Sequence, residues 1–347
     1  MPNPTLLELS REELDRFLEA HGEPSFRAQQ IWQAIYRDLV CSYEAITTLP
    51  LSLRRLLAAE LPLEALVPIE SIKSADGGTR KVLFRLVDGE TIETVLMRYA
   101  QRQTICLSAQ VGCSVGCSFC ATGRGGFVRN LTVGEIVGQA LHFARELYSC
   151  TERLTNIVYM GMGEPFLNYD ATLKSIRILN DQNGFSLGAR AFTVSTVGIV
   201  PGIERFADEN LQVNLAVSLH AASDTLRDRL VPSNRRYPLE KLIRACRGYM
   251  ERTNRRVTFE IALIEGVNDS RTHAREVAAL LSDLLCHVNL IALNPIPGCS
   301  FRPSSRERTQ KYAEKLQRAG IPVTIRLRRG VEIQAGCGQL RGRSDCG

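Results

Sequence analysis

Apolar positions at helical spacing predict that the first sixty residues are mostly helical. Ser10 stands at the start of an amphipathic run, and Glu13 lies three residues after Ser10. This is the pattern of a capping box at a helix start. A second helix is predicted from Ser25 to Tyr36 and a third from Leu51 to Glu60. We therefore expect a compact helical domain over residues 1–78.

The spacing of apolar residues changes from helical to strand-like near residue 80, which predicts a β-hairpin. Residues 81–87 and 91–97 are rich in apolar and β-branched side chains, and Asp88-Gly89 between them forms a frequent two-residue turn. Alternation along the second strand places Glu93 on the face opposite Ile92, where a solvated glutamate is the usual outcome. The hairpin, residues 79–99, is expected to link the helical domain to the remainder.

From residue 104 onward, short apolar runs alternate with amphipathic helical stretches. Strands are predicted at 104–107, 156–160, 191–195, 213–219, 257–264, 288–293 and 323–327, and helices near 132–149, 170–182, 199–208, 238–253, 270–285 and 305–319. Such alternation favours βαβ units and a parallel sheet. Right-handed crossovers and six or seven strands predict an α/β fold, an incomplete (β/α)6-type barrel over residues 100–330. No G-x-G-x-x-G follows the first strand, which disfavours a dinucleotide-binding fold.

The composition is that of an ordinary globular protein. The chain has 347 residues, of which 44% are hydrophobic and 23% are charged. No apolar run reaches membrane-spanning length, and the charged N-terminus does not resemble a signal peptide, so a cytoplasmic protein is expected. Its eleven cysteines are expected as reduced thiols with metal or catalytic roles rather than as a disulfide framework.

Positive charge is concentrated near the C-terminus. The net charge is +6, and residues 301–330 contain nine basic side chains but only two acidic ones. This segment suits a phosphate backbone, but a solvated helix face followed by a basic strand end fits equally well. The arginine-rich N-terminal helices leave a similar choice between an RNA-contacting module and a helical cap over the main domain.

Three cysteines, Cys113, Cys117 and Cys120, have the spacing C-x3-C-x2-C shortly after a predicted strand. Three thiolates this close can hold three irons of a 4Fe–4S cluster and leave the fourth iron open to a substrate or cofactor. Zinc is the alternative, but structural zinc sites are almost always four-coordinate. The next candidate ligands, His142 and Cys150, lie beyond a predicted helix start. The pattern favours a cluster and leaves zinc open.

Glycines and polar residues follow the ends of the predicted strands, where barrels of this kind place their sites. The strand at 156–160 runs into Gly161-Met-Gly163-Glu164-Pro165. Glycines let a backbone approach a ligand closely, and Glu164 would be an acceptor aimed at the pocket. A lone histidine at a strand end is more often structural than functional. Further candidates at strand ends are Ser195, Ser218, Leu219, His220 and Asn294.

These motifs together resemble the RlmN/Cfr family of radical S-adenosylmethionine (SAM) RNA adenine methyltransferases. The resemblance covers about residues 10–342 and is specific at C-L-S-A-Q-V-G-C from Cys106 and at C-G-Q-L from Cys337, although Gly336 replaces a commoner alanine. It implies a radical SAM barrel in which Cys113, Cys117 and Cys120 bind a 4Fe–4S cluster. The SAM contacts that it implies are Gly163, Glu164, Ser195, Ser218, Leu219, His220 and Asn294.

The resemblance also implies roles for Cys337, Cys106 and Glu93. Cys337 takes a methyl group from one SAM, and a second SAM, cleaved at the reduced cluster, yields a radical that removes a hydrogen from it. The methylene radical then adds to the adenine carbon, Glu93 accepts a proton, and Cys106 attacks to leave a Cys106–Cys337 disulfide. The other cysteines are expected to be structural or incidental: Cys41, Cys150, Cys246, Cys286, Cys299 and Cys346.

The implied reaction is methylation of C2 of adenosine 2503 in 23S rRNA, with C2 of adenosine 37 in some tRNAs as a second target. A radical route suits this carbon, which has no lone pair for direct methyl transfer. The implied enzyme is a monomer that takes electrons from a flavodoxin or ferredoxin and carries its catalytic cysteine on a loop at 331–347. Two alternatives stay open: Cfr-type methylation of C8, which confers antibiotic resistance, and a non-enzymatic, zinc-stabilised RNA-binding protein.

Overall fold

A computed structural model of the protein describes residues 4–342, so Cys346 and the end of the predicted C-terminal loop lie outside the described residues. The helices are α1 Arg11–Ala20, α2 Phe26–Tyr36, α3 Leu51–Glu60, α4 Ala121–Arg124, α5 Val133–Ser149, α6 Tyr169–Asn180, α7 Val200–Ala207, α8 Asp224–Leu230, α9 Leu239–Thr253, α10 Arg271–Leu281 and α11 Arg306–Arg318. The strands are β1 Leu66–Lys73, β2 Thr79–Leu86, β3 Thr91–Tyr99, β4 Arg102–Leu107, β5 Gln110–Gly112, β6 Phe127–Asn130, β7 Asn156–Tyr159, β8 Phe192–Thr196, β9 Asn214–Ser218, β10 Val257–Leu263, β11 Cys286–Ala292 and β12 Val323–Arg326.

The three predicted N-terminal helices are present, and α1 begins with the expected capping box. The Ser10 hydroxyl accepts from the Glu13 amide at 3.2 Å, and the Glu13 carboxylate accepts from the Ser10 amide at 2.6 Å. These helices lie against α6 and the loop that follows it, where Lys174 of α6 pairs with Glu13 at 2.5 Å and Trp32 packs against Gly184. Their apolar faces join the same core as the barrel. No helix in residues 4–342 is long and apolar enough to cross a membrane.

The main sheet has ten strands in the order β1-β2-β3-β4-β7-β8-β9-β10-β11-β12. Within this sheet, strands β4, β7, β8, β9, β10, β11 and β12 are parallel, which confirms the predicted barrel of βα units. The predicted hairpin, β2 and β3, does not stand apart from it, because β3 pairs antiparallel with β4. The sheet runs from β1 to β12 without these two outer strands pairing, so the barrel is incomplete.

Two features of the sheet differ from the sequence pattern. Strand β1 was not predicted, because it is a largely exposed edge strand with a bulge between Pro68 and Glu70. Glu93 is not solvated as expected but only 6% exposed. Strand β3 is covered on both faces from Thr91 to Leu96, so the alternation of side chains along it does not separate buried from exposed positions.

A small two-stranded sheet, β5 with β6, frames the loop that carries the cysteine motif. The chain comes closest at Gly112, which has φ +72°, where a Cβ would lie 2.1 Å from the Gly126 carbonyl oxygen. The Cys113 amide donates to that same carbonyl at 2.6 Å. Gly112 is therefore needed for backbone geometry, and this sheet brings the loop to the carboxyl ends of the parallel strands.

Candidate active site

The three motif cysteines line one cavity at the carboxyl ends of the barrel strands. Cys117 is buried, and Cys113 and Cys120 are half-buried. Burial raises the pKa of the Cys113 thiol to about 12 and that of Cys117 well above its usual value. Bound iron would have to offset this penalty, since a thiolate is the ligand form.

The Gly161–Pro165 turn closes against the neighbouring strands. A Cβ at Gly161 would lie 2.6 Å from the Leu107 carbonyl oxygen, and one at Gly163, where φ is +95°, would lie 2.5 Å from the Gln110 Cβ. These glycines therefore let the turn approach β4 and β5, which is a different reason from the close approach to a ligand that the pattern predicted. The Gln110 side chain also accepts from the Glu164 amide at 2.8 Å.

The Glu164 carboxylate lines the cavity but already binds the protein. Its two oxygens accept from the amides of Phe166 at 3.0 Å and Val197 at 2.8 Å. Burial nevertheless raises its pKa to about 7, because these hydrogen bonds only partly offset the loss of water. Glu164 thus holds the ends of β7 and β8 together while it faces the cavity.

Strand β9 delivers Ser218 and His220 to the cavity, but Leu219 points away. Leu219 is fully buried and does not line the cavity, so only its backbone could meet a ligand there. The His220 Nδ1 accepts from the Ala262 amide at 3.1 Å, and its ring packs edge-on against Phe119 of the cysteine loop at 4.7 Å. Burial, aided by Arg227, lowers the pKa of His220 to about 3. His220 is therefore neutral, with its proton on Nε2.

The C-terminal loop places Cys337 in the same cavity as the motif cysteines. The Ala121 amide donates to the Gly338 carbonyl at 2.7 Å, and the Asn294 side-chain amide donates to the Cys337 carbonyl at 3.1 Å. The Thr122 hydroxyl donates to the Leu340 carbonyl. A Cβ at position 336 would lie 2.6 Å from the Asn294 side chain, so Gly336 allows this contact.

Cys106 and Cys337 are both free thiols that share one neighbouring cation, Arg326. Burial raises the pKa of Cys106, the nearby Cys337 thiol raises it further, and the Arg326 guanidinium lowers it. Cys337 is open to the cavity but surrounded by protein, and burial raises the pKa of its thiol while Arg326 lowers it. Cys106 itself, on β4, does not line the cavity of the motif cysteines.

Glu93 lies in a second cavity, on the other side of the C-terminal loop. Lys81, Gln334 and Arg341 also line this cavity, whereas Cys337 and Leu340 line the first. The Glu93 carboxylate pairs with the Lys81 ammonium at 2.7 Å and accepts from the Arg341 amide at 2.8 Å. Glu93 therefore anchors the loop that separates it from the motif cysteines.

Several residues that the sequence did not single out contribute to the site. Arg227 is fully buried beside the ends of β8 and β9. Glu260 lines the cavity, and burial raises its pKa, although Arg326 at 3.7 Å opposes this effect. Both arginines belong to strongly charged stretches, and nothing in those stretches distinguishes them from solvated surface residues.

The predicted basic segment is largely engaged within the protein. Arg308 pairs with Asp269 at 3.2 Å, and Arg326 pairs with Glu260. Arg328 donates to a backbone carbonyl, and Arg329 packs over the Tyr99 ring at 4.4 Å. Residues 301–330 thus present less free positive charge than their composition indicates.

The residues at the cavity fit a 4Fe–4S cluster and SAM. Within residues 4–342, no group of three or more His, Cys, Asp or Glu side chains is arranged to hold a single metal ion. A four-iron cluster is larger than one ion, so its three thiolates stand further apart around one space. Two buried oxygens of cavity-lining side chains, Asn294 Oδ1 and Glu260 Oε2, also have no partner in the described part of the chain. They are available acceptors for a polar ligand.

Two family models match the chain. The model of the radical SAM superfamily matches residues 107–277, which include the cysteine motif and the strand ends to β10. The model of the ribosomal RNA large subunit methyltransferase N-terminal domain matches residues 4–62. The second match coincides with helices α1 to α3.

Curated proteins and solved structures match over almost the full length. A protein of Chloroflexus aurantiacus is 48% identical over 99% of this chain and 94% of its own, and one of Staphylococcus carnosus is 47% identical over 98% and 93%. Both are named "Probable dual-specificity RNA methyltransferase RlmN". The crystal structure of a radical SAM methyltransferase from Sphaerobacter thermophilus is 54% identical, covers 98% of this chain and 100% of that one, and superposes with a TM-score of 0.96. The chain therefore belongs to the RlmN family of radical SAM RNA methyltransferases.

Proposed function

We propose that this enzyme methylates C2 of adenosine 2503 in 23S rRNA and C2 of adenosine 37 in tRNAs. The observation that carries the proposal is the position of Cys337, on a loop bonded to the cysteine motif at Ala121 and Thr122 and open to the same cavity. The name of these relatives, dual-specificity RNA methyltransferase, supports two RNA targets. Sequence-specific proteins read RNA bases that are unstacked in loops, and a base in that state could reach Cys337.

The bound cofactors would supply the methyl group, an electron and a hydrogen-abstracting radical, with two SAM molecules used per turnover. Cys113, Cys117 and Cys120 would hold the cluster. The cavity-lining residues Gly163, Glu164, Ser195, Ser218, His220 and Asn294, with the backbone of Leu219, would hold SAM. Because all but Leu219 line the space shared with Cys337, the cofactor and the methyl-carrying sulfur would stay close together.

Cys337 is the covalent catalyst in this proposal. Once its sulfur carries a methyl group and the SAM-derived radical has removed one hydrogen atom from it, the remaining carbon would bond the adenine carbon and link protein to RNA. The adduct would then give up the ring proton and one electron, which the cluster would take back. One difficult substitution is thus divided into feasible steps. Attack of the Cys106 thiolate on the Cys337 sulfur forms an S–S bond and breaks the S–C bond. The electron pair passes to the former methylene carbon, which takes a proton to become the methyl group. A dithiol reductant outside the protein then returns the disulfide to two thiols.

Glu93 is the proposed acceptor of the proton that leaves the adenine carbon. In the structure its carboxylate is bound to Lys81 and to the Arg341 amide, and the C-terminal loop stands between it and Cys337. The loop must therefore shift before Glu93 can reach the protein–RNA adduct. This shift would bring Cys337 towards the adenine. A flavodoxin or ferredoxin as electron donor and a monomeric enzyme complete the proposal.

The test is the position of the methyl group on RNA. The protein is expressed in a host that lacks its own C2 methyltransferase, and nucleosides from purified 23S rRNA and tRNA are identified by mass spectrometry. We expect 2-methyladenosine in both, and none with Cys337→Ala as the matched control. Only 8-methyladenosine would show the Cfr-type reaction instead, and methylation confined to rRNA would remove the tRNA part.

A further inference from the structure

Arg227 on α8 is a fully buried cation whose direct partners are all neutral. Its guanidinium donates to the carbonyls of Val197 at 2.5 Å, Ser218 at 3.2 Å and Leu219 at 3.1 Å. Its remaining bond is to the Asn234 side-chain oxygen at 2.7 Å. Burial lowers its pKa to about 10, so it keeps its charge at neutral pH. Burying a charge without an opposite charge in contact is costly.

Two aspartates stand one residue further from the guanidinium. The Asn234 amide donates to Asp224 at 2.9 Å and to Asp228 at 2.7 Å, so it separates both carboxylates from Arg227. Within the described chain, Arg227 makes no ion pair of 4 Å or less. Its charge is therefore only partly balanced on this side. Val197 and Ser218, whose carbonyls accept from Arg227, line the cavity that also holds Cys117.

The cavity beside Arg227 is lined by the three motif thiols and by the Glu164 carboxyl, all of which are neutral or negative. Burial raises the pKa of the Cys117 thiol, Cys120, Cys113 and Glu164 raise it further, and Arg227 lowers it. Helix α8, which carries Arg227, also contacts the cysteine loop directly, because the Ser118 amide donates to the Leu230 carbonyl at 3.1 Å. The fold thus places one buried cation next to a cavity that is lined by three thiols and a carboxyl.

We propose that Arg227 is a positioning residue that raises the reduction potential of the cluster held by Cys113, Cys117 and Cys120. The inference rests on the proposed cluster site. On reduction by a low-potential one-electron donor such as dithionite, the cluster gains one electron and one unit of negative charge. A buried cation stabilises that charge more than an exposed one does, because little water lies between them. Net charge, hydrogen bonding and exposure are the properties by which proteins set such potentials.

Arg227 and the nearby Asp228 carry opposite charges, so substitutions at these two positions should shift the reduction potential in opposite directions. Arg227→Met removes the charge and should lower the potential, whereas Arg227→Lys keeps the charge and should return the potential towards the wild-type value. Asp228→Asn removes a distant negative charge and should raise the potential. Arg229→Gln changes an exposed arginine on the same helix and should leave the potential unchanged.

The experiment is an anaerobic dithionite titration of each purified variant, followed by electron paramagnetic resonance, with iron content and circular dichroism measured on the same samples. Equal iron but an unchanged potential in Arg227→Met would overturn the inference. If Arg227→Met does not fold, the Asp228→Asn variant provides the test. An unchanged or lower reduction potential in that variant would also overturn the inference. Wild-type protein without a paramagnetic cluster would instead overturn the proposed cluster site itself.

Discussion

The amide of Ala121 donates to the carbonyl of Gly338 at 2.7 Å, which joins the end of the cysteine motif to the residue after Cys337. These residues are more than two hundred positions apart in the sequence. The bond keeps Cys337 over the cavity of the motif cysteines. The Asn294 side chain also binds the Cys337 carbonyl, and the Glu93 carboxylate binds the same loop at the Arg341 amide. The position of this loop therefore determines whether Cys337 lies at the cavity.

Cys106→Ala should trap a covalent protein–RNA adduct, because Cys337 could still be methylated and attached but no thiolate would release the product. Cys337→Ala should give no adduct at all. The measurement is an RNase-sensitive shift on a denaturing gel after anaerobic turnover. Cys150→Ala, at an exposed cysteine, is the control and should behave as wild type. Wild-type release of methylated RNA by Cys106→Ala would rule out the resolving role.

Replacing any one of Cys113, Cys117 and Cys120 by alanine should reduce bound iron from about four atoms per chain to less than one. Cys299 offers a demanding control, because its sulfur lies only 3.9 Å from the Ser118 carbonyl within the motif. Cys299→Ala should retain its iron, since its thiol does not line the cavity. Iron analysis and the visible spectrum of anaerobic protein measure both. Loss of iron in Cys299→Ala would mean that the ligand set is incomplete.

Glu93→Gln should slow the formation of methylated RNA by at least 10²-fold, which is about the lower contribution of a general base. Cys337 methylation should continue, because Glu93 lies outside the cavity where it takes place. Mass spectrometry of the Cys337 peptide and of the RNA separates the two steps. Glu90→Gln on the same hairpin is the control. Equal loss of both steps in Glu93→Gln would indicate that its contact with Arg341 matters only for folding.

Thermal stability should fall as pH rises from 5 to 8, owing to Glu164. Its carboxyl titrates near 4.5 when unfolded and near 7 when folded, so the unfolded chain loses the proton first. The associated stabilisation is complete below the unfolded pKa, is lost as pH rises through 7, and amounts to about 3 kcal/mol. Calorimetric Tm values of SAM-free protein measure it. Glu164→Gln should flatten this dependence, and an equally steep curve would contradict the assignment.

Arg326→Met should make the Cys337 thiol less reactive, because its guanidinium is the cation that lowers the pKa of that thiol. A higher pKa leaves a smaller fraction of thiolate, which is the nucleophile, so we expect slower alkylation by iodoacetamide at pH 8. Peptide mass spectrometry follows Cys337 specifically. Arg326→Lys keeps the charge and should react at nearly the wild-type rate. Unchanged alkylation in Arg326→Met would remove Arg326 from the site.

Much of the fold was predictable because its signals are local. The capping box at Ser10 and Glu13 involves residues three apart, and each parallel strand is a short apolar run between amphipathic helices. Strand β1 escaped prediction because an edge strand needs few apolar residues. The short strands β5 and β6 escaped because three or four residues show no period.

The site was predictable in part. The motif cysteines, Glu164 and His220 meet in one cavity, as their positions at strand ends indicated. The burial of Glu93 was not predictable, because it depends on Lys81 and on the backbone at Arg341, which is distant in sequence. Arg227 was not predictable either, since nothing in its local sequence shows that it is buried.

By itself, the sequence determined most of the succession of helices and strands and the chemical groups at the strand ends, because these depend on neighbours a few residues away. Only the tertiary structure decided that Cys337 reaches the cavity of the motif cysteines, that Glu93 lies behind the C-terminal loop, and that Arg227 is an interior cation. Burial and charge arise from contacts between segments far apart in the chain. Their energies depend on how much water those contacts exclude, and no local pattern records that quantity.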